Sequence, residues 1–268
     1  MTRSNAAPPC YRACVPIDPT AAAGFSAGAA PYERARPAYP DDAVRFLAER
    51  FDIVPGTRIV DVGAGTGKFT SCLVATEARI VALEPVEDMW RHLGTAVPSA
   101  RVVAATAEAM PLKDGSADVV VAAQAFHWFD GPRALGEIHR VLVPGGGLGL
   151  VWNARDRSRD WVAELSDIVD AYGNAIRRHE TEEWIDAFDG ETGFSPLELA
   201  RFPMPQEVDE DQVVDRVAST SFIATLPDDE RRRVFDRVRD LVRTHPETRG
   251  RDRFTFPHET RVYTARRI

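Results

Sequence analysis

Apolar residues along this chain follow two rhythms. Short β-branched runs recur at 57–62, 79–83, 100–105, 118–123 and 148–152. Runs without a polar side suit strands buried on both faces of a parallel sheet. Between them, at 41–51, 69–75, 86–93 and 132–141, apolar residues return every three or four positions, as on a packed helix; Val44, Phe46, Leu47 and Phe51 share one side of the first. After residue 153 the rhythm turns helical. Trp161, Leu165, Ile168, Val169, Tyr172 and Ile176 share one stripe, and 184–188 is a shorter helix. A sixth strand is expected at 197–203 and a helix at 208–217. Another opens at Pro227 with Val234, Phe235, Val238, Leu241 and Val242 inward. Phe254, Phe256 and Val262 alternate in a closing strand over 253–266, expected to be the hairpin partner of the sixth. The pattern predicts an α/β fold: a Rossmann-like, doubly wound, seven-stranded and mostly parallel sheet, with a helical lid inserted after the fifth strand. Residues 154–192 and 207–246 form that cap within one domain over 25–268. Residues 1–24, rich in Ala and Pro without periodicity, read as a mobile segment.

The first strand runs directly into Asp61-Val62-Gly63-Ala64-Gly65-Thr66-Gly67-Lys68. Strand, glycine turn and helix bring backbone N–H groups close to a nucleotide-like ligand, because glycine has no Cβ to hold it away. Two common glycine motifs fail here. A dinucleotide fingerprint needs a third glycine where Lys68 stands; a P-loop needs glycine at Val62 and Ser or Thr at Phe69. The second strand ends in Glu84-Pro85, with Glu84 nineteen residues after Gly65. An acid at that distance accepts hydrogen bonds from a ribose diol in nucleotide-binding α/β folds. Ligand loops of such sheets lie at the carboxyl ends of the strands, where strand order reverses. Gly63 to Gly67, Glu84, Thr106 to Glu108 and Gln124 to Trp128 all fall at such ends.

Composition narrows the partners. With 268 residues and 44% hydrophobic content the chain can bury one sizeable core. Its net charge of −8 argues against nucleic acid or an anionic membrane surface, which reward clustered Lys and Arg. The arginines after residue 230 alternate with Asp and Glu and read as a solvated face. No apolar run reaches the roughly 20 residues of a membrane span, and the N-terminus lacks the apolar core of a secretory signal. Three cysteines give no disulfide framework, and Cys10 and Cys14 have no accompanying His or Cys cluster, so no metal is expected. The expectation is a soluble cytoplasmic protein, monomeric or homodimeric.

The order of these pieces resembles class I S-adenosylmethionine-dependent methyltransferases over about residues 25–153. The nearest pattern is the small-molecule group that includes the ubiquinone/menaquinone-type and trans-aconitate-type enzymes. Asp61 to Lys68 matches the family's first motif, Glu84 its ribose-binding acid, and Thr106 to Leu112 its adenine-side turn. Arg140-Val141-Leu142-Val143-Pro144-Gly145-Gly146 matches the segment before the fifth strand; Tyr32, with Arg36-Pro37-x-Tyr39-Pro40, and Gln124 to Phe129 match a narrower subgroup. One position departs: Thr106 stands where many relatives carry the Asp that bonds the adenine amino group. A hydroxyl accepts that bond more weakly, being uncharged.

The resemblance implies a bound S-adenosylmethionine, released as S-adenosylhomocysteine, and a small-molecule acceptor methylated on oxygen or carbon. Its implied donor contacts are Tyr32, Arg36, Asp61, Gly63, Ala64, Gly65, Gly67, Glu84, Pro85, Thr106, Ala107, Glu108, Gln124 and Ala125. Arg36 would hold the donor's carboxylate, since a guanidinium fork matches it. Phe126, Trp128 or Tyr32 could face the sulfonium, because an aromatic face attracts a cation. His127 is the candidate catalytic residue: either a general base for a hydroxyl acceptor or an orienting histidine. The lid aromatics Trp161, Tyr172, Trp184 and Phe188, better read as packing, still allow an apolar or aromatic acceptor. Two other classes stay open. One is an NAD(P)-dependent oxidoreductase, which Lys68 and the missing Tyr-x-x-x-Lys pair oppose; the other binds the donor without turnover.

Overall fold

β1 (Arg58–Val62) lies at the centre of the fold, parallel to β2 (Arg79–Leu83) on one side and to β4 (Ala117–Ala123) on the other. The computed structural model describes residues 39–173, 183–190 and 192–268. The expectations for residues 1–24, Cys10, Cys14, Tyr32, Arg36 and Ile176 lie outside those residues. With β3 (Arg101–Val103), β5 (Leu142–Arg155), β6 (Glu198–Pro203) and β9 (His258–Arg266), the strands form one seven-stranded sheet in the order β3-β2-β1-β4-β5-β9-β6. Only β9 runs against its neighbours. Strand order reverses between β1 and β4, and the glycine turn leaves from that point.

Alternation along each strand feeds two cores. Ile59, Val119, Val121 and Val151 face α1 (Asp41–Arg50) and α2 (Lys68–Leu73), which supply Leu47, Phe51, Phe69 and Leu73. Val60, Val120, Leu148 and Leu150 face α4 (Gly131–Val141), which supplies Leu135 and Ile138. α3 (Glu87–Ala96) joins β2 to β3. The segment before β5 serves this packing. A Cβ at Gly147 would stand 2.3 Å from the Phe51 ring, so glycine there lets α1 lie directly on the sheet.

The remainder builds a third core beside the sheet. α5 (Asp160–Asp170) contributes Trp161, Leu165 and Val169. They pack with α6 (Glu210–Ala218), α7 (Ser221–Ala224) and α8 (Asp228–Thr244). Trp161 is 1% exposed, against Phe254 and Phe256 of β8 (Phe254–Phe256).

Several boundaries differ from expectation. β5 is longer, because β9 pairs with it from Gly147 to Arg155. Val208 belongs not to a helix but to β7 (Gln206–Val208), since Asp209 caps α6 by accepting from Gln212 N–H. The C-terminal run is two strands: β8 pairs with β7, whereas β9 inserts between β5 and β6. β6 and β9 are therefore antiparallel neighbours joined by the whole α6–α8 segment, not a hairpin. The 184–188 helix is a 3₁₀ turn, Glu183–Phe188, whose Trp184 stacks on Trp152 at 4.3 Å between ring centres.

Candidate active site

The chain leaves β1 through Gly63, Gly65 and Gly67 at φ 68°, 58° and 88°, a region L side chains enter at a cost. At Gly63 space is also short: a Cβ would lie 2.7 Å from the Ala125 Cβ and 3.2 Å from the Phe129 ring. The glycine turn and the loop after β4 thus touch through a missing side chain. The N–H groups of Gly63 and Ala64 both donate to the Leu83 carbonyl, at 2.9 and 3.0 Å, tying the turn to the end of β2.

Glu84 follows immediately and is 5% exposed. One carboxylate oxygen accepts from Gly65 N–H at 2.9 Å and the other from Val86 N–H at 2.8 Å, across Pro85. Burial pushes this carboxyl up from its ordinary value, and the two N–H donors pull it partly back. Asp61 is fully buried. Its Oδ2 accepts from the Thr70 hydroxyl at 2.6 Å, and its Oδ1 has no hydrogen-bond partner among the described residues. Burial, then opposed by the Thr70 hydroxyl and reinforced by the Glu84 charge, lifts it to about 7.

The turn after β3 carries a second orphan. Thr106 Oγ1 is buried without a partner among the described residues, while Ala107 is 3% exposed and Glu108 accepts from Asp130 N–H at 3.0 Å. α4 anchors this turn. Glu137 accepts from Met110 N–H at 2.8 Å, and the Arg140 guanidinium donates to the Met110 and Leu112 carbonyls, Asp114 and Glu137. The two carboxylates hold Arg140 well above its ordinary range and Arg140 holds Glu137 below its own. Arg140→Ala removes the side-chain donor of the Leu112 carbonyl, leaves the Met110 carbonyl with only the Leu112 N–H at 2.8 Å, and strips Glu137 of its guanidinium partner. Discounted for its partly exposed edge, it should cost about 2 kcal/mol and lower the melting temperature by roughly 4–8 °C, read by thermal unfolding.

Gln124, at the end of β4, holds φ 55° without being glycine. Its side-chain N–H donates to the Asn153 carbonyl at 3.0 Å, and the Asn153 side chain accepts from the Thr260 hydroxyl at 2.6 Å. The strained residue is thus braced across β5 to β9, and its amide serves as a brace. His127 follows on a short 3₁₀ turn, Phe126–Trp128. The Trp152 indole N–H donates to its Nδ1 at 3.2 Å. Indole nitrogen is a donor only, so Nδ1 is a lone pair and the neutral ring carries its proton on Nε2. Phe126 is 1% exposed and packs on Phe129, Trp184 and Phe188, so it is not placed to face a ligand; Trp128 is half-buried. Trp161 and Trp184 are likewise committed to packing.

The structure therefore gathers Asp61, Gly63, Ala64, Gly65, Gly67, Glu84, Pro85, Thr106, Ala107, Glu108, Gln124, Ala125 and His127 at the carboxyl ends of β1 to β4. Sequence reasoning missed the Asn153–Thr260 brace, the Glu137–Arg140 anchor and the Trp152 bond. Each joins residues far apart in the chain, and only the motif around Arg140 gave any signal. Among the described residues, no group of His, Cys, Asp or Glu could hold a metal ion, and no helix is long and apolar enough to cross a membrane.

Residues 60–150 match the family model for a methyltransferase domain. An uncharacterized methyltransferase of Mycobacterium tuberculosis is 37% identical over 236 residues, covering 88% of this chain and 92% of that protein. An uncharacterized methyltransferase-like protein of Schizosaccharomyces pombe is 34% identical, covering 90% and 94%. The solved structure of a putative type II methyltransferase from Anaeromyxobacter dehalogenans aligns with TM-score 0.64 at 23% identity, covering 86% of this chain and 97% of that one, which shows the shared fold. With this strand order, this glycine turn and relatives matched along nearly their whole length, the chain belongs to the class I S-adenosylmethionine-dependent methyltransferases.

Proposed function

We propose that the protein transfers a methyl group from S-adenosylmethionine to a small-molecule acceptor, on oxygen or carbon. One observation carries this reading. Two buried polar atoms without partners among the described residues, Asp61 Oδ1 at the end of β1 and Thr106 Oγ1 in the turn after β3, lie at the strand ends around a glycine turn that has no room for a side chain at Gly63. Most buried polar groups in proteins are paired; Arg50 Nε and Thr264 Oγ1 are also unpartnered among the described residues, but only Asp61 and Thr106 stand at strand ends beside the glycine turn, where a ligand would supply the missing bonds.

The bound donor supplies an activated methyl group on a sulfonium. The residues of the chain bind, orient and exclude water. Glycines 63, 65 and 67 admit the methionine portion; for its carboxylate the family resemblance implies Arg36, which lies outside the described residues. Each Glu84 oxygen, having spent one lone pair on a loop N–H, retains another for the ribose diol. Thr106 accepts from the adenine amino group, with Ala107 and Glu108 beside it. Ala125 closes the floor against Gly63, and Gln124 sets the loop that carries it. With Trp152 on Nδ1, His127 presents Nε2–H to an acceptor oxygen and orients it; acting as a base would require giving up the Trp152 bond. The helices after β5 cover the acceptor and expel water.

Calorimetric titration with S-adenosylhomocysteine, with NADP⁺ as control, tests this. Micromolar binding of the first and none of the second is expected. Binding of NADP⁺ alone would mean that the glycine turn holds a dinucleotide.

A further inference from the structure

The ladder between β4 and β5 outlasts the backbone of β4. Its last backbone bond there runs from Gln124 N–H to the Val151 carbonyl at 2.8 Å. Two residues on, a parallel ladder would give the Asn153 carbonyl the N–H of Phe126. At Gln124 the chain turns off instead, through φ 55°, and the Gln124 side-chain amide donates to that carbonyl at 3.0 Å. A side chain thus fills the ladder place that the backbone gives up. A left-handed backbone at a residue with a Cβ persists only where its surroundings hold it. Asn153 is itself held from β9. It lies opposite Thr260, whose hydroxyl donates to its side-chain oxygen at 2.6 Å and stands 3.9 Å from the Met204 sulfur. Thr260 is fully buried, on the third strand from β1 and outside the residues 60–150 that match the methyltransferase domain. Thr264 supplies a contrast within the same strand. It is equally buried on the same face, and its hydroxyl has no partner among the described residues.

We propose that Thr260 is a positioning residue for the donor site, acting through Asn153 and Gln124 on the loop after β4. This rests on the donor-site reading above. The hydroxyl fixes Asn153 in β5, Asn153 gives Gln124 its acceptor, and Gln124, so held, keeps the loop in its left-handed turn. The position of that loop matters to the glycine turn. Ala125 packs so close to Gly63 that a Cβ there would stand 2.7 Å from its own, and the Phe129 ring lies 3.2 Å from the same point. Without the brace, the strained turn relaxes towards an ordinary backbone conformation, and Ala125 and His127 move with it. The floor of the glycine turn is then no longer preset, and each binding event bears the cost of ordering it. A side chain of the C-terminal strand therefore completes the donor half of the molecule, although the partners of its hydroxyl are Asn153 and Met204.

The test titrates S-adenosylhomocysteine calorimetrically into the full chain and its variants, and follows amide hydrogen exchange over 124–129 without ligand. Thr260→Val removes the hydroxyl at nearly constant volume. It should weaken binding by about tenfold, the share of one buried hydrogen bond, and raise exchange across the loop. Thr264→Val makes the same change on the same strand and should leave both readouts as in the wild type. Thr260→Ser keeps the hydroxyl and should bind within about twofold of the wild type, though it melts lower for the lost methyl group. In Gln124→Gly, where neither strain nor amide remains, adding Thr260→Val should cause no further loss, as expected for residues of one network. Gln124→Met cuts the relay at its other end, keeping the strain and losing the amide. It should show the same loss and the same exchange, so the test stands even where Thr260→Val does not fold. Wild-type affinity in Thr260→Val or in Gln124→Met would overturn the relay and leave the donor site in place. So would equal losses in Thr260→Val and Thr264→Val, Thr260→Ser as weak as Thr260→Val, or the full loss repeated in Gln124→Gly. Failure of the wild type to bind S-adenosylhomocysteine would overturn the donor-site reading, and the role of Thr260 with it.

Discussion

Gly63→Ala should weaken S-adenosylhomocysteine binding by about a hundredfold or more and destabilise the fold at once. Two costs add at this position. At φ 68° an L residue pays roughly 1–2 kcal/mol for a left-handed backbone. The new methyl group would also stand 2.7 Å from the Ala125 Cβ, an overlap relieved only by moving the loop after β4, and overpacking of this kind costs about 1–3 kcal/mol. A loss near 3 kcal/mol lowers the melting temperature by roughly 6–12 °C in a domain of this size. Gly65→Ala separates the two causes. Its φ of 58° carries the same conformational cost, but the nearest atom to its Cβ is the Met89 sulfur at 3.7 Å. It should therefore be the milder variant in thermal melts and in calorimetry. Equal effects would show that contact with Ala125 is irrelevant.

Glu84→Ala should reduce S-adenosylhomocysteine affinity by about a hundredfold, equivalent to roughly 2.7 kcal/mol. The substitution removes the ribose acceptor and leaves the N–H groups of Gly65 and Val86 without partners, so the turn itself loosens. Glu84→Gln discriminates between these effects. The amide keeps the shape and one acceptor oxygen, restoring part of the loop, but it offers a neutral oxygen and an N–H where two anionic oxygens stood. It should melt closer to the wild type than Glu84→Ala while binding weakly. Unchanged affinity in Glu84→Ala would remove Glu84 from the ribose site.

Most of the sheet was legible because its strands are local objects. Ile80–Leu83 of β2 is apolar without a break and opens on β-branched Ile80 and Val81, and a strand buried on both faces needs little more to announce itself. The glycine turn was legible for a related reason: positive φ and absent Cβ atoms are written directly in residue type. Where the expectations failed, pairing was the cause. The run 253–266 looked like one strand. Pro257 lies between β8 and β9, and the two halves enter different sheets. Phe126, one of three rings expected to be able to face the sulfonium, packs instead with Trp184 in a common aromatic core, and packing is the role expected of Trp184.

By itself the sequence determined the α/β alternation, the glycine turn at the end of β1 and the acid at the end of β2, since each follows from the intrinsic conformational and burial preferences of neighbouring residues. Only the tertiary structure decided what their chemistry is. Trp152 fixing the tautomer of His127, Thr260 bracing Gln124 through Asn153, and the burial that leaves Asp61 with a single hydroxyl for support all join residues from different strands or helices. Hydrogen-bond partners and local dielectric are properties of the packed sheet, and no stretch of chain carries them alone.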